Sequence, residues 1–414
     1  MDQTWFNNYK IIKEKFDYSY KGYNLKYLIA GYLNLDFEAN PNIRDVFKEY
    51  YLSCNFMDLR EALKTKEETL ITYLINRTDY RDLAKTTQQY YSHSEVVDLS
   101  SLMLKKVSPF GFTYFKHFWM AAGLVFRRSI GKNFKYKLQF VAMVIKLLNQ
   151  ISLLENTAYP TNIKRYVCFN SSYKEETLLT LYFNKHNAET ITLQHGIFCN
   201  FKRLIPFDII NYENCVAQKM LCWGQSTIDF LTRHGFAESQ LILLGNLKYK
   251  DFEIDHINQT FTKCLVLLGR PLYLDTNDKL LDVLKAYNRK HNNKIVFYIK
   301  KHPFIEDKYH VRHADISSNI IFLGREHSVQ EVLKSDIVDF SISVNTTAYY
   351  ESLALGKPCL RWTEEENEEF YGIDDKFENL EELEAKIQLL KDESPDRLLH
   401  EIKDVIRYIF NPNI

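Results

Sequence analysis

From residue 163 onward the chain alternates short apolar runs with helix-forming segments, and this rhythm constrains the fold more than any other feature. Short strands that alternate with helices of 10–15 residues are typical of βαβ units, which build parallel sheets. The runs that predict strands are KRYVCFN, TITLQHG, KMLCWG, QLILLG, KCLVLLG, KIVFYIKKHP, NIIFLG, DFSISVN and PCLRW. The sequence therefore predicts an α/β fold with doubly wound parallel sheets.

A break around GNLKYKDFEIDHINQT divides the βα units into two groups. With 414 residues the chain is also too long for one ordinary core. We therefore predict a first domain at residues 1–250 and a second domain at 251–414, whose last helices could pack back on the first domain. Two doubly wound domains that face each other would place their strand ends in a shared cleft.

The first 150 residues follow a different pattern, which predicts mainly helices. Apolar residues recur at helical spacing in KEETLITYLINRTDYRDLAKTTQQYY (66–91) and in KYKLQFVAMVIKLLNQISLL (135–154). EVVDL is a weak strand candidate between them. Within the first domain we therefore expect βα units only at 163–250.

Composition and charge exclude several classes of function. Basic and acidic residues number 53 each, so the net charge is zero and no global field favours a nucleic-acid partner. Seven scattered cysteines without a CxxC pair argue for reduced thiols in a cytoplasmic protein. The N-terminus lacks the apolar core of a secretion signal, and no uninterrupted run of 18 apolar residues predicts a membrane span. We expect a cytoplasmic protein.

One strand of the second domain ends in an unusual basic and polar cluster, formed by Lys300, Lys301, His302 and Pro303. Ligands of parallel sheets bind at the carboxyl ends of the strands. His302 could donate a hydrogen bond to a phosphate oxygen, a neighbouring lysine could supply charge, and Pro303 turns the chain. A capped strand with solvated lysines is the alternative interpretation.

A second stretch of this domain, SISVNTTAYYESLALGKP (341–358), predicts a strand, a polar turn and a helix. Asn345, Thr346 or Thr347 could cap the helix. The free N–H groups at its start would suit a diphosphate, and Glu351, one turn further, could accept hydrogen bonds from ribose hydroxyls. Ordinary capping of a core helix would explain the threonines equally well.

The first domain offers a candidate base in TLQHGIF (192–198). A strand delivers Gln194 and His195 to its carboxyl end, and Gly196 allows a tight bend there. A histidine in this position could act as a general base, because its pKa suits neutral pH. A histidine that is merely satisfied at a strand end is the alternative.

A weaker candidate for phosphate binding is LLGRPLY (267–273), where Gly269 and Arg270 follow a strand. Nowhere in the chain are two aspartates separated by one residue, and no His, Cys or Asp cluster has the spacing of a metal site. We therefore predict chemistry without a metal.

The ordered series LQHG, CWG, LLGNLKYKD, KKHPF and SVNTTAYYESLALGKP resembles bacterial GT-B glycosyltransferases of surface polysaccharide assembly, such as capsule and lipopolysaccharide. It is similar to the branch with sialyltransferase-like enzymes and CDP-glycerol glycerophosphotransferases. The resemblance covers roughly residues 163–362 and depends on the order and spacing of short motifs. It implies a GT-B-like fold, in which two Rossmann-like domains face a cleft, here with a largely helical N-terminal portion.

The resemblance also implies a nucleotide-activated sugar as donor, bound mainly by the second domain, and a glycan or lipid-linked acceptor bound by the first. His302 and Pro303 match the family's HP element, which contacts the donor phosphate. His195 matches the histidine of its HG element, which is the base in the glycerophosphotransferases. The residues that match its polar turn before a helix are Ser343, Asn345, Thr346 and Thr347.

These observations predict an inverting, metal-independent glycosyltransferase without a bound cofactor. His195 would deprotonate the acceptor hydroxyl, while His302, a lysine and the helix after Asn345 would stabilise the departing phosphate. Transfer of a polyol phosphate or sugar phosphate from a CDP-activated donor would use the same residues, since only the electrophile differs. A nucleotide-sugar epimerase and a non-catalytic scaffold of a polysaccharide-assembly complex remain as further alternatives.

The segment between Asp98 and Glu155 contains no acidic residue, although aromatic and aliphatic residues alternate there with many basic ones. The basic residues are Lys105, Lys106, Lys116, Arg127, Arg128, Lys132, Lys135, Lys137 and Lys146. Such a stretch suits an anionic membrane surface, so that residues 99–154 could hold a cytoplasmic protein at the inner face of the membrane. It would equally suit a phosphorylated or lipid-linked acceptor, and core helices with lysines at the rim are the plain alternative.

Overall fold

The structure is a computed structural model that describes most of the chain. Its described residues divide into two compact units, the first formed by Met1–Cys222 and Ile228–Leu243 and the second by Trp223–Thr227 and Leu244–Ile414. The described ranges are 3–33, 41–131, 133–198, 200–201, 205, 209–249, 254–257, 260–303, 305, 309, 319–344, 346–363, 368–369 and 371–411.

Up to residue 243, helices alternate with short strands from the N-terminus onward. The helices are α1 (Gln3–Glu14), α2 (Leu25–Ala30), α3 (Ile43–Cys54), α4 (Thr78–Tyr90), α5 (Phe112–Arg127), α6 (Phe134–Glu155), α7 (Lys174–Lys185), α8 (Ile209–Glu213) and α9 (Gln225–Arg233). The strands are β1 (Ser19–Tyr20), β2 (Tyr23–Asn24), β3 (Asn55–Met57), β4 (Thr69–Tyr73), β5 (Ser94–Asp98), β6 (Leu104–Lys106), β7 (Arg165–Cys168), β8 (Glu189–Leu193), β9 (Asn200–Phe201), β10 (Lys219–Cys222) and β11 (Leu241–Leu243).

Beyond residue 260 the alternation continues. The strands are β12 (Lys263–Leu267), β13 (Val296–Lys300), β14 (Ile320–Phe322), β15 (Phe340–Val344), β16 (Cys359–Trp362), β17 (Glu368–Glu369) and β18 (Lys376–Phe377). The helices are α10 (Leu274–Lys290), α11 (Val329–Lys334), α12 (Ala348–Ala354), α13 (Leu380–Asp392) and α14 (Pro395–Phe410). Each of the nine strands that the rhythm predicts is present among the described residues, as are the helices between them.

The first unit is built on a parallel sheet in the order β11-β10-β8-β7-β4-β5. The chain enters at β4, adds β5 on one side, and then continues from β7 on the other side. The direction of winding therefore reverses between β4 and β7, and this is the position where doubly wound sheets bind ligands.

The helical interpretation of residues 66–91 is wrong for its first part, because Thr69–Tyr73 forms strand β4 in the middle of the sheet. All five residues of β4, TLITY, are buried. The strand therefore lacks the alternation of buried and exposed residues that marks a half-exposed strand. A short buried run of this kind cannot be distinguished from a helix by periodicity alone. The weak candidate EVVDL corresponds to β5, the edge strand beside β4. The βα units thus begin near residue 69 and not at 163.

The second unit is built on a parallel sheet in the order β14-β13-β12-β15-β16-β18. Here the chain begins at β12, adds β13 and β14 on one side, and then adds β15, β16 and β18 on the other. The winding reverses between β12 and β15. Both units are therefore doubly wound, Rossmann-like sheets, which confirms the predicted α/β fold class with two such domains.

Helix α6 is the central core element of the first unit. It is apolar on nearly all sides, and most of its residues from Phe140 to Leu154 are buried. By length and composition it is the one helix of the described residues that could cross a membrane, and 78 % of its most apolar window is buried inside the structure. The criterion of an uninterrupted apolar run misses it because polar residues, among them Gln139, Lys146 and Asn149, interrupt the sequence.

Candidate functional site

The carboxyl ends of three neighbouring strands lie level in the second unit. Leu267 of β12 pairs with Lys300 of β13 on one side and with Ser343 of β15 on the other. Adjacent strands of a sheet are about 4.8 Å apart. The segments that follow these strands are the three candidate donor motifs, so the sheet brings them together at its switch point.

The turn after β12 is fixed by a buried asparagine. Asn277 of α10 accepts a hydrogen bond from the Gly269 N–H at 3.0 Å and donates one to its carbonyl at 3.2 Å. A Cβ at Gly269 would lie 3.1 Å from both the Val344 carbonyl oxygen and the Tyr273 Cβ, so the turn is packed against the end of β15. Arg270 follows with an exposed side chain that pairs with no carboxylate of the described residues. The weak motif thus places a positive charge at the switch point.

The cluster after β13 is only half-exposed, except for Pro303. The Lys300 ammonium donates to the Gly324 carbonyl at 2.6 Å, and burial lowers its pKa. Lys301 and His302 lie on the turn that follows, and the His302 carbonyl accepts the Ile305 N–H at 2.9 Å. This compact turn keeps Lys301 and His302 at the end of the sheet.

The turn after β15 differs from the sequence expectation. Thr347 is the N-cap residue of α12 but makes no side-chain cap, while the Thr346 hydroxyl accepts the Ala348 N–H at 3.3 Å. The next two N–H groups of the helix donate to the carbonyls of Thr346 and Thr347. Helix α12 has seven residues, so fewer free N–H groups face a ligand than the sequence predicts. Asn345 lies outside the described residues.

Ser343 and Glu351, two further candidates for donor binding, do not have the surroundings that their proposed roles require. Ser343 is 1 % exposed, and its hydroxyl has no hydrogen-bond partner among the described residues. It faces the interior beneath the strand end and not the solvent above it. The Glu351 carboxylate lies 3.7 Å from the Lys248 ammonium, so its charge is already partly balanced before any ribose could bind.

A buried network that the sequence did not indicate holds α12 against the sheet. The Arg361 guanidinium of β16 pairs with the Asp375 carboxylate at 3.0 Å, and the Tyr349 hydroxyl of α12 donates to the same carboxylate. Asp375 and Tyr349 are both almost fully buried. This network orients the turn that precedes α12, because Tyr349 lies in the first turn of that helix.

The first unit presents its own group of strand ends. Thr72 of β4 pairs with Cys168 of β7, and Cys168 pairs with Thr192 of β8, so these ends also lie level. Gln194 and His195 follow β8. The Gln194 side chain is buried and donates to the Gly196 carbonyl at 2.8 Å, which closes the bend that the sequence predicts at this glycine.

The imidazole of His195 lies in an aromatic cage. Tyr173 places its hydroxyl 3.4 Å from Nε2, and Tyr212 places its hydroxyl 3.3 Å from Nδ1. Phe169 and Tyr80 flank the ring, with centroids 4.9 and 6.1 Å away. Both O···N distances are slightly longer than an ordinary hydrogen bond. A ligand hydroxyl could therefore displace one of the two tyrosine hydroxyls from its ring nitrogen.

The environment of His195 keeps the imidazole neutral. Burial, together with a smaller contribution from the nearby guanidinium of Arg77, lowers its pKa to about 4. The Arg77 guanidinium is itself held over the ring of Tyr80, 4.7 Å from its centroid. At neutral pH one ring nitrogen therefore has a lone pair that can accept a proton.

The loop after β7 and the first turn of α7 add further polar groups to the same end of the sheet. The Glu176 carboxyl accepts hydrogen bonds from the Phe169 N–H at 2.8 Å and the Thr72 hydroxyl at 3.1 Å, and burial raises its pKa to about 8. The side-chain amide nitrogen of Asn170 (Nδ2) and the Ser172 hydroxyl are buried without a partner among the described residues. Unsatisfied polar groups of this kind often mark a place where a ligand or water completes the bonding.

Sequence reasoning missed the residues around His195. The loop FNSSYKEE follows a predicted strand, so the rule that ligands meet strand ends would have found Phe169 and Tyr173. Arg77 and Tyr80 follow β4, which the periodicity assigned to a helix, so no sequence signal placed them at a strand end. Among the described residues, no group of three or more His, Cys, Asp or Glu side chains could hold a metal ion.

The chain matches no protein-family model, and no curated protein matches its sequence. A variant of S. aureus TarM in complex with fondaparinux, alpha-GlcNAc-glycerol and UDP is similar to 59 % of this chain, with 15 % identity and a TM-score of 0.38. The similarity covers 51 % of TarM, so this chain spans about half of that protein's length.

Two other solved structures are similar over more of the chain. The similarity to UDP-GlcNAc 2-epimerase from Neisseria meningitidis, bound to UDP-GlcNAc, covers 83 % of this chain and 94 % of the epimerase chain. The identity is 11 % and the TM-score is 0.42. HepE from Anabaena, in complex with UDP and glucose, covers 83 % and 95 %, with 10 % identity and a TM-score of 0.47. At these identities and TM-scores, the similarity assigns no role to any residue of this chain.

Proposed function

We propose that this chain is an inverting, metal-independent glycosyltransferase that moves a sugar from a nucleotide-activated donor to a surface-glycan or lipid-linked acceptor. The observation that carries the proposal is the switch point of the second unit. There the end of β12 lies between the ends of β13 and β15, with Arg270, Lys301 and His302 in the adjoining turns. A doubly wound sheet binds its ligand at this position, and these side chains suit the phosphates of a nucleotide.

The donor phosphates would be stabilised by protein cations and hydrogen-bond donors. As the bond between the anomeric carbon and the phosphate oxygen breaks, negative charge grows on the departing nucleotide. Arg270 and Lys301 would balance this charge, and His302 would donate a hydrogen bond to it. Lys300 is bound to the Gly324 carbonyl, and we assign it the role of holding the turn.

The acceptor hydroxyl would meet His195 in the first unit. The neutral imidazole would accept the hydroxyl proton as the oxygen attacks the anomeric carbon, so that the new glycosidic bond forms with inversion. Burial makes His195 a weak base, but it also guarantees that the imidazole is unprotonated at neutral pH. Tyr212 would fix the ring and its tautomer, and the acceptor hydroxyl would take the place of the Tyr173 hydroxyl near Nε2.

Nucleotide binding tests this proposal directly. Thermal unfolding should be measured with CMP, CDP, UDP and GDP, since a ligand at a hundred times its Kd adds about 2.7 kcal/mol of stability. We expect stabilisation by at least one nucleotide, a smaller effect in Arg270→Ala, and no change of the effect in Arg397→Ala, an exposed arginine of α14. If none of the four nucleotides stabilises the protein, the result would instead favour the scaffold function.

The identity of the transferred group separates glycosyl from phosphoryl transfer. Mass spectrometry of the product should show an added sugar without phosphorus. A retained phosphorus would assign the chain to the polyol-phosphate or sugar-phosphate transferases, and conversion of the free donor into its epimer would assign it to the epimerases.

A further inference from the structure

Helix α5 of the first unit has two apolar faces, of which only one is buried. Tyr114, His117, Ala121, Leu124 and Val125 face the core. On the other side Phe112, Phe115 and Trp119 are spaced so that they lie along one stripe, and they are 83 %, 58 % and 60 % exposed. A surface helix of a soluble protein normally has polar residues in such positions.

The exposed apolar surface continues into the segment before α5. Phe110 is 95 % exposed, and Met103 and Leu104, at the beginning of this segment, are 69 % and 57 % exposed. This segment is ordered by hydrogen bonds. The Val107 N–H donates to the Cys54 carbonyl at 2.8 Å, and the Phe110 N–H donates to the Ser108 hydroxyl at 3.3 Å. We call the surface formed by Met103, Leu104, Phe110, Phe112, Phe115 and Trp119 the aromatic face.

Basic side chains border the aromatic face. Lys106 and Lys116 are exposed, Lys105 is half-exposed, and none of the three forms an ion pair within the described part of the chain. An acidic residue that contacts this segment is Asp58, whose N–H donates to the Met103 carbonyl. Its carboxylate is paired with Arg60 at 2.6 Å and also interacts electrostatically with Lys105. The aromatic face thus combines apolar area with a positive rim that Lys106 and Lys116 supply.

The structure also removes some basic residues of the acid-free segment from any such surface. Lys146 is buried in an ion pair with Glu175 at 2.8 Å. The Arg128 guanidinium donates to the Lys15 and Asp17 carbonyls, which fixes it against the chain. Lys132 lies outside the described residues. We therefore consider the aromatic face around residues 103–119, and not the whole of 99–154.

We propose that the aromatic face binds the surface of an anionic lipid bilayer. Phe and Trp side chains insert at the level of the headgroups, where apolar rings leave water and the lysines beside them contact lipid phosphates. A second copy of the chain is a poorer occupant, because a two-fold interface would place one positive rim against the other. The proposal goes beyond the transferase function and does not depend on it.

Binding to vesicles tests the proposal, and Trp119 provides a local signal. The full chain should co-sediment with vesicles of equal parts phosphatidylglycerol and phosphatidylcholine at low salt. It should be released at roughly 0.5 M salt, where the Debye length is only a few Å. Pure phosphatidylcholine vesicles should retain much less protein. Tryptophan emission should shift to shorter wavelength on binding, and Trp119→Phe should lose this shift while still binding.

Two sets of variants separate apolar from electrostatic contributions. Phe110→Ser/Phe112→Ser/Phe115→Ser removes the insertion residues and should weaken vesicle binding at least roughly tenfold. Lys106→Glu/Lys116→Glu reverses the charge of two lysines at the rim. Each basic residue contributes roughly fivefold to vesicle affinity, so this variant should weaken binding at least roughly twentyfold. All five side chains are largely exposed, so the melting temperature should change little.

Matched controls use exposed residues at other places on the chain. Tyr90→Ser/Tyr371→Ser removes exposed aromatic rings, and Lys66→Glu/Lys85→Glu makes the same change in charge in the first unit. Both controls should bind vesicles like the wild type. The proposal is wrong if wild-type protein stays in solution at low salt, or if the aromatic variant binds as well as the wild type. It is also wrong if the wild type forms a dimer that the aromatic variant loses while neither binds vesicles.

Discussion

The ring of Tyr212 stacks on the imidazole of His195, with the planes 22° apart and the Tyr212 hydroxyl 3.3 Å from Nδ1. If Nδ1 carries the proton, it can donate to this hydroxyl, and the lone pair is then on Nε2. The group near Nε2 is the Tyr173 hydroxyl, at 3.4 Å. The two tyrosines thus have different roles, since one orients the ring and the other occupies the position where an acceptor hydroxyl would bind.

The first prediction concerns His195 itself. His195→Gln should lower kcat by roughly 10²–10⁴-fold, because the general base is lost, while nucleotide binding stays unchanged. The control is His186→Gln, which alters another histidine of the first unit that stacks on a tyrosine, in this case Tyr159. Steady-state kinetics with the product assay would show the difference. Equal losses in the two variants would contradict the role of His195.

The second prediction separates the two tyrosines. Tyr212→Phe should lower kcat, because the tautomer of His195 is no longer fixed, and should leave KM for the acceptor nearly unchanged. Tyr173→Phe should change mainly KM for the acceptor, because in the proposed mechanism the acceptor hydroxyl replaces the Tyr173 hydroxyl near Nε2. Kinetics with varied acceptor concentration would test this, and the same pattern in both variants would refute the assignment.

The third prediction is a pH dependence. The folded pKa of His195 is lowered from 6.5 to about 4, so the base stays unprotonated down to about pH 5. The acid limb of kcat/KM should lie below the value of an ordinary histidine. Arg77→Gln removes a charge that contributes to the lowering and should move this limb to higher pH. An acid limb near 6.5 in the wild type would show that His195 is not the titrating base.

The same pKa shift affects stability with a defined sign. Because the unfolded state binds the proton more tightly, the contribution of neutral His195 to stability is complete above pH 6.5 and is lost as the pH falls towards 4. Urea unfolding of the wild type and of His195→Gln should therefore show curves that converge as the pH falls through this range.

The fourth prediction concerns the turn at the donor switch point. Gly269→Ala places a Cβ 3.1 Å from the Val344 carbonyl oxygen, and the backbone there has little room to move. We expect a loss of about 1–3 kcal/mol of stability and weaker nucleotide binding. Gly123→Ala in α5 is the control, because nothing lies within 4 Å of its Cβ, and it should be neutral or slightly stabilising. Thermal unfolding with and without nucleotide measures both effects.

The fifth prediction concerns the buried ion pair of Lys146 and Glu175. Lys146→Met leaves the Glu175 carboxylate buried without its partner and should cost about 3–5 kcal/mol. The double variant Lys146→Met/Glu175→Leu removes both charges and should recover most of that loss. Denaturant unfolding of the single and double variants gives the comparison, and a double variant as unstable as the single one would contradict it.

Much of the fold was readable from the sequence because the signals are local. Beyond residue 163 each strand is bounded by turn residues and by an amphipathic helix, so length and periodicity identify it. The bend at Gly196 was also predicted from the sequence, whereas the constraint on Gly269 is its close approach to Val344 of β15, which no local signal shows. The positions of Arg270, Lys301 and His302 at strand ends follow from the same reading.

Other features were decided by tertiary structure alone. Strand β4 could not be recognised, because it is buried on both faces and its apolar run has no strand periodicity. The exposure of Phe112 and Trp119 was equally hidden, since a helix with two apolar faces does not reveal which one the core will cover. The cage around His195 joins residues of α4, of the loop after β7 and of α8, and only the sheet order brings them together. Sequence determines what is local along the chain, whereas contacts between distant segments depend on how the sheet is assembled.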